Sequence, residues 1–336
     1  MSFPYTPYPL TTYPSSPLWQ LSPVSSNVTS GWVPSCTSSS CLPTASWSTG
    51  AANSSLTYMF YAFDIILNGT VEGDIKLQVI RNGKEEVLNP SGDSLFTVHG
   101  LPTDQLLHQN LTITVLEAST GARLTINEAR VNASTFGDNV YDSRQWLIAS
   151  NDGAIQYTTG FTQQQAAAGL ASPTTYVSSV AGDKMTMQFN SESTSSLDDT
   201  STNKITLGSA MTLYGPCGPS SGLMRVKIDT RFEETINITK PIQSDDCLLF
   251  QSPGLTSDLL HSLEVENVSG GTLAINRMEF FRIVTFTNPR GYKNAGMIAG
   301  IVLGVILGIA ALVILYSTRS RKMRQKINNS WKIFCS

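Results

Sequence analysis

IKLQVIRNGKEE, residues Ile75 to Glu86, places an apolar side chain at every second position, Ile75, Leu77 and Val79, with Lys76 and Gln78 between them. It then runs into Asn82-Gly83, the dipeptide best suited to a two-residue hairpin turn. A period of two puts alternate side chains on opposite faces of a strand, so the stretch predicts a hairpin with one dry and one wet face. The same pattern recurs in both directions along the chain. Leu111, Ile113 and Val115 alternate with Thr112 and Thr114, and a turn at Ser119-Thr120-Gly121 leads into a return strand through Leu124 and Ile126. Met185, Met187 and Phe189 alternate with Lys184, Thr186 and Gln188, and Met224, Val226 and Ile228 alternate with Arg225, Lys227 and Asp229. A convincing helical stripe is missing before residue 295, although Gln163 to Ala171 reads as a short turn. The expectation is an all-β, antiparallel fold.

Two blocks resemble each other. LFTVHGLPTDQLLHQNL at Leu95 to Leu111 parallels LFQSPGLTSDLLHSL at Leu249 to Leu263, and near-identical strands follow, Leu124 to Asn127 and Leu273 to Asn276. A repeat distance of about 150 residues exceeds any solenoid unit and predicts a duplicated domain. The boundary is expected near Val131 to Asn151, with each copy a β-sandwich of short strands. On this alignment His108 and His261 fall at equivalent positions at the start of a strand.

AGMIAGIVLGVILGIAALVILY, Ala295 to Tyr316, is 22 residues without a charge. As a helix it extends roughly 33 Å, enough to cross about 30 Å of hydrocarbon. Arg319, Arg321, Lys322, Arg324, Lys326 and Lys332 follow with no acidic residue, so the positive-inside bias puts the C-terminus in the cytoplasm and the rest outside. The remainder then holds 16 Lys and Arg against 25 Asp and Glu, an acidic surface that excludes nucleic acid as a partner. Gly296, Gly300, Gly304 and Gly308 share one face of the span and predict close pairing of two such helices, hence a homodimer within membrane lipid.

Asn27, Asn53, Asn68, Asn110, Asn132, Asn237 and Asn267 each begin an Asn-x-Ser/Thr triplet before the span, predicting N-glycosylation. Asn328 matches as well but lies in the tail. Among five cysteines, Cys36 with Cys41 and Cys217 with Cys247 is the simplest pairing, the latter worth roughly 3 to 4 kcal/mol in loop entropy. Residues 1 to 63 carry no charge, and 28 of the first 50 are Ser, Thr or Pro, a composition for a flexible or extended, O-glycosylated start. Trp19, Trp32 and Trp47 argue that its later part packs. MSFPYTPYPLTTYPSSPLWQ has neither a basic n-region nor an apolar run, so it is no secretory signal, which leaves an incomplete start or insertion directed by the span. The expected order is a flexible N-terminus at 1–18, a first sandwich at 19–135, a linker at 136–150, a second sandwich at 151–286, a juxtamembrane piece at 287–294, the span at 295–316 and a basic tail at 317–336.

The turn Gly215-Pro-Cys-Gly218, the strand ending at Asp229, Gly254-Leu255 with His261, and the glycine-studded span with its basic tail resemble fungal, basidiomycete-type membrane proteins. That resemblance implies tandem galactose-binding-like jelly-roll domains before one C-terminal span, mostly without assigned activity. It covers about Trp19 to the end, and the polar insertion Ser191 to Asn203 departs from it.

Chemistry is sparse. Gly218-Pro-Ser-Ser-Gly222 matches the nucleophile-elbow pattern in letters, but strands rather than a strand and a helix flank it, so Ser220 reads as a turn residue. Asp198-Asp199 and Asp245-Asp246 read as solvated pairs. Jelly rolls often hold a structural calcium, but no ligand set is evident, and neither a metal site, a cofactor nor a catalytic residue is assigned. Trp32, Trp47, Trp146, Tyr157 and Phe161 are the rings available for sugar stacking, with core packing the plainer role for each. The leading reading is a non-enzymatic plasma-membrane glycoprotein displaying two lectin-like sandwiches toward wall or extracellular carbohydrate. A structural or adhesion glycoprotein is the alternative, and a membrane-tethered glycan hydrolase or esterase the third.

Overall fold

The computed structural model describes residues 6–62, 64–99, 108–135, 144–190, 210–255 and 260–282. Among them the chain is almost entirely antiparallel β, interrupted by one 3-10 turn at Leu42–Thr44. The alternating stretches fold as read. Val79, Leu111, Ile113, Val115, Met185, Met187, Phe189, Met224, Val226 and Ile228 all point into cores. Asn82 (φ 52°) and Gly83 (φ 78°) supply the two left-handed residues of the expected hairpin.

Eleven strands build the first half: β1 (Thr6–Thr12), β2 (Trp19–Ser22), β3 (Val33–Pro34), β4 (Trp47–Thr49), β5 (Ser55–Tyr61), β6 (Asp64–Glu72), β7 (Ile75–Arg81), β8 (Lys84–Glu86), β9 (Ser94–Val98), β10 (His108–Ala118) and β11 (Arg123–Thr135). One sheet runs β3-β4-β11-β6-β9 with β1 beside β11, and the facing sheet runs β2-β5-β10-β7-β8. Twelve more build the second: β12 (Arg144–Ala149), β13 (Ile155–Tyr157), β14 (Thr162–Gln165), β15 (Thr174–Ser178), β16 (Lys184–Asn190), β17 (Ala210–Cys217), β18 (Leu223–Ile228), β19 (Phe232–Asn237), β20 (Ser244–Gln251), β21 (Leu260–Asn267), β22 (Leu273–Ile275) and β23 (Arg277–Arg282). Their sheets run β12-β23-β17-β20, β13-β16-β21-β18-β19 and β14-β15-β22.

The two halves correspond strand for strand. The order β2-β5-β10-β7-β8 maps onto β13-β16-β21-β18-β19, β1-β11-β6-β9 onto β12-β23-β17-β20, and β3-β4-β11 onto β14-β15-β22. The long strand β11 changes register between Ile126 and Glu128. At the matching place the second copy divides into β22 and β23 around Asn276, whose amide nitrogen donates to Ser172 and Thr174 carbonyls. Both copies need glycine opposite this irregularity. A Cβ on Gly69 or on Gly215 would collide with the carbonyl oxygen of Thr125 or Ala274, respectively.

Three expectations are corrected. The segment expected to be a flexible N-terminus, 1–18, contains β1, paired with β11 from Thr6 to Thr12, and Pro14 to Leu18 are buried. The expected linker, 136–150, contains β12, paired with β23, so the second sandwich begins by Arg144. The short turn expected over Gln163 to Ala171 opens instead as strand β14, because Gln163, Gln164 and Gln165 pair with Tyr176, Thr175 and Thr174.

Each half has its own core. In the first, Trp19 stacks on Tyr58 at 4.2 Å and Tyr58 on Phe60 at 4.6 Å, while the buried Tyr58 hydroxyl accepts from Thr12 at 2.8 Å. Burial of side chains this size contributes roughly 1.5 to 3 kcal/mol each. In the second, Phe189, Phe280, Phe250 and the methionines of β16 and β18 fill the space between the sheets. Both expected disulfides form, Cys36–Cys41 and Cys217–Cys247.

The halves are joined into one compact unit, Met1–Thr285. Leu248 of β20 belongs to the first core, with Tyr214 and Ile242 packed against it. The strap Pro14 to Trp19 runs through this junction. Ser16 Oγ donates to the Leu248 carbonyl, and the Ser15 carbonyl rests 3.7 and 3.8 Å from the two sulfurs of Cys217–Cys247. Lys240 Nζ, fully enclosed, donates to the carbonyls of Trp19 at 2.6 Å, Ser16 at 3.0 Å and Pro14 at 3.4 Å. Gln251 closes the far end, its amide giving to and taking from the Tyr61 backbone at 2.7 and 3.2 Å.

Burial pulls the Lys240 amine down to a pKa of about 7, against about 10.4 in an unfolded chain. Between those values the unfolded chain holds a proton that the folded one has shed, so stability rises with pH from neutral toward 10. Thermal unfolding of the full-length chain across that range is expected to show this rise, and Lys240→Met to remove it. Equal slopes in the two proteins would refute the assignment.

Candidate functional site

The alternation that fills the second core leaves polar side chains on the outer face of β13-β16-β21-β18-β19. Gln156 leaves from β13, Thr186 and Gln188 from β16, Ser262 and Glu264 from β21, and Lys227 from β18. With Asp152, Asp229 and Leu260 they line a cleft of about 890 Å³. Among the described residues no aromatic ring is in its wall. Such a surface offers amide, hydroxyl, carboxylate and ammonium groups side by side, a set that binds by hydrogen bonding rather than by stacking.

A ladder of ion pairs holds one side of this face. Lys184 reaches Glu264 at 2.9 Å and Glu266 at 3.6 Å, Arg225 reaches Glu266 at 2.5 Å and Glu233 at 3.7 Å, and Lys227 reaches Glu233 at 3.3 Å. The Arg225 hydrogen bond, against the effect of burial, holds the Glu266 carboxyl below the usual carboxylate range. Because the pairs link four neighbouring strands, they fix Lys227 and Glu264 in place at the cleft wall.

At the other side Asp229 sits at φ 55°. Its two oxygens take different partners: Oδ2 meets His261 Nδ1 at 2.8 Å and Oδ1 accepts from the Ser262 backbone at 2.8 Å. Burial pushes this carboxyl up, but these hydrogen bonds outweigh it and hold the pKa low. The same backbone frame exists in the first copy, where Asn82 Oδ1 accepts from the Asn110 backbone.

That correspondence corrects the histidine alignment. Leu111 lies opposite Tyr58 and Leu263 opposite Met187, so Gln109 matches His261 and His108 matches Leu260. An offset of one residue sends the two rings to opposite faces. His261 is buried against Phe189, whereas His108 is on the outer face beside Tyr61, 4.9 Å between ring centres. His99 on the surface has no counterpart.

Trp32 and Trp47 are buried in the first core and Phe161 in the second. Tyr157 stacks on Tyr176 at 4.1 Å and donates to the Ser150 carbonyl. The side chain of Trp146 lies outside the described residues. Ser220 is in a strand-flanked turn, its carbonyl accepting from Thr272 N, as read from sequence. Asp245 caps Ser39 at 2.9 Å and Asp246 pairs with Arg277 at 2.7 Å; Asp198-Asp199 lies outside the described residues. Among the described residues no three His, Cys, Asp or Glu side chains gather as a metal ion would require. In that same set, no helix is long and apolar enough to cross a membrane. The span, its Gly296, Gly300, Gly304 and Gly308, the basic tail and the side chain of Asn132 all lie outside it.

The sequence marked Thr186, Gln188 and Lys227 as a wet face. It did not show that four strands would bring them together with Gln156, Ser262 and Glu264, since register between distant strands leaves no local signal.

Compared with family models and with curated proteins, the chain has no match. Among solved structures it is similar to a Paenibacillus xanthan lyase, with TM-score 0.31, 8% identity, and 83% of this chain but 25% of that one covered. It is also similar to the tandem CBM22-1-CBM22-2 domains of Paenibacillus barcinonensis Xyn10C, with TM-score 0.23, 11% identity, and 81% and 96% of the two chains covered. A third is the cycloalternan-forming enzyme of Listeria monocytogenes, with TM-score 0.27, 10% identity, and 75% and 22% covered. The chain thus spans about a quarter of the lyase. At these scores the site rests on its own geometry.

Asn27, Asn53, Asn110 and Asn237 are exposed, and Asn68 is half-buried with its amide donating to Glu128 at 3.1 Å. Asn267 contradicts the glycosylation expected there. It is 1% exposed, and its amide nitrogen donates to the carbonyls of Ser178 and Gly271 while its oxygen accepts from Gly270. A glycan would replace one of the two amide hydrogens, so one of these donated bonds would be lost and the buried side chain would have to move out. Glycopeptide mapping of protein from a eukaryotic host is expected to find sugar at the exposed sequons and none at Asn267, and occupancy at Asn267 would overturn the buried placement.

Proposed function

We propose that this chain is a non-enzymatic, cell-surface carbohydrate-binding glycoprotein, held by the span at 295–316 and presenting its second sandwich as the binding module. The observation that carries this reading is the cleft of about 890 Å³ on the outer sheet, with Gln156, Thr186, Gln188, Ser262, Lys227 and Glu264 in its wall. That volume lies within the range of small-ligand sites. The polar set suits hydroxyls, which donate and accept at once, and the ion-pair ladder holds the charged members so that little ordering remains to be done on binding.

Each neutral hydrogen bond contributes about 0.5 to 1.5 kcal/mol net, and among the described lining residues no ring adds stacking to that, so a single site binds weakly. Pairing of spans through Gly296, Gly300, Gly304 and Gly308 would present two sites together and raise avidity without new contacts. The strand order of each sandwich is compatible with a galactose-binding-like jelly roll, and a basidiomycete-type membrane protein remains the resemblance that fits the span and tail. Fold alone assigns no ligand.

A glycan array probed with the full-length protein in detergent is expected to give oligosaccharide hits that the double variant Gln156→Ala, Gln188→Ala loses by about 5- to 50-fold in affinity. An array without hits, or hits untouched by the variant, would remove the cleft as the site. For the span, Ile at Gly300 and Gly304 fills the small-residue face while keeping the segment apolar. A helix-pairing reporter is expected to lose its signal in that variant with membrane insertion unchanged, and an equal signal would leave the glycines as ordinary span composition.

A further inference from the structure

A second cleft, of about 280 Å³, opens at the junction of the two sandwiches. Tyr61 of β5 and His108 of β10 form one wall, and Glu234 of β19 faces them from the other lobe, with Gln20 and Asn237 at its rim and Leu18 and Met59 beneath. Among the described residues the Tyr61 hydroxyl, the His108 imidazole and the Glu234 carboxylate take part in no hydrogen bond or ion pair. His108 is exposed and Tyr61 and Glu234 are half-buried, so all three stay open to a ligand, and their convergence on one cavity marks a ligand site rather than a packing element.

Their environment defines the complement. Burial raises the Glu234 carboxyl, and burial followed by the charge of Glu234 raises the Tyr61 phenol, while burial lowers the His108 imidazole so that it is neutral at pH 7. Glu234 is the one carboxylate among the described lining residues, stripped of part of its hydration, beside a ring face that also attracts cations. The neutral imidazole and the phenol can each give and take a hydrogen bond.

We propose that the junction cleft binds a protonated amino sugar, its ammonium on Glu234, its ring over Tyr61, and its hydroxyls on the Tyr61 hydroxyl and His108. An alkylammonium such as a lysine side chain satisfies the carboxylate but leaves the phenol and imidazole unpaired. A neutral or N-acetylated sugar leaves the carboxylate uncompensated. The site is independent of the outer-sheet cleft and shares no residue with it.

Titration calorimetry of the full-length chain with glucosamine, N-acetylglucosamine and Nα-acetyl-lysine methylamide tests this. Glucosamine is expected to bind about tenfold or more tightly than either of the others, since a charge-assisted bond and its paired hydroxyls are lost separately in the two controls. Glu234→Gln is expected to abolish the preference over N-acetylglucosamine with the unfolding temperature unchanged, and Tyr61→Phe to weaken glucosamine about threefold to tenfold. Equal binding of the two sugars, tighter binding of the lysine derivative, or a Glu234→Gln protein that keeps the preference would each overturn the proposal, whatever the glycan array shows.

Discussion

One buried lysine, Lys240, organises the junction between the two sandwiches. Its Nζ donates to the carbonyls of Pro14, Ser16 and Trp19 in the strap. An isolated charge in such a place costs several kcal/mol. That cost draws the amine toward its neutral form, and the contacts to three strap carbonyls, of which that of Ser16 also accepts from the Trp19 backbone, offset part of it. The strap is thereby fixed between the Cys217–Cys247 bridge on one side and the Trp19 stack on the other, so neither core is complete without it.

Duplication explains why the two outer faces differ so much in use. Residues required by the backbone persist in both copies: a left-handed residue at Asn82 and Asp229, a glycine at Gly69 and Gly215, an asparagine-centred irregularity at Asn127 and Asn276. Outward positions carry no such requirement. Met59 and Tyr61 of β5 match Gln188 and Asn190 of β16, yet the first pair faces the neighbouring lobe while Gln188 faces solvent in the open cleft. The same structural face has become a junction in one copy and a polar surface in the other.

How far the sequence could be read follows from the range of each interaction. Alternation in β7, β10, β16 and β18, the Asn82-Gly83 turn and both disulfides are local or compositional, and they were legible. The strap was not, because Ser, Thr and Pro read as loose chain unless a lysine 220 positions away is known to seat them. The histidine offset was hidden for another reason. Leu-Leu-His occurs in both copies, but Gln109-Asn110 precedes Leu111 where Ser262 alone precedes Leu263, and only the pairing with β5 and β16 shows where the extra residue goes. Of the outer cleft, single wet strands were visible and their assembly was not.

Strand β23 occupies a central position with consequences for load. It pairs antiparallel with β12 through six residues and with β17 through five, and it is the last strand before residue 283. Tension arriving from that end runs along the strand axis, so both ladders resist it together in shear and no hydrogen bond is peeled away first. The second sandwich thus meets a pull at that end with two ladders loaded in shear rather than one.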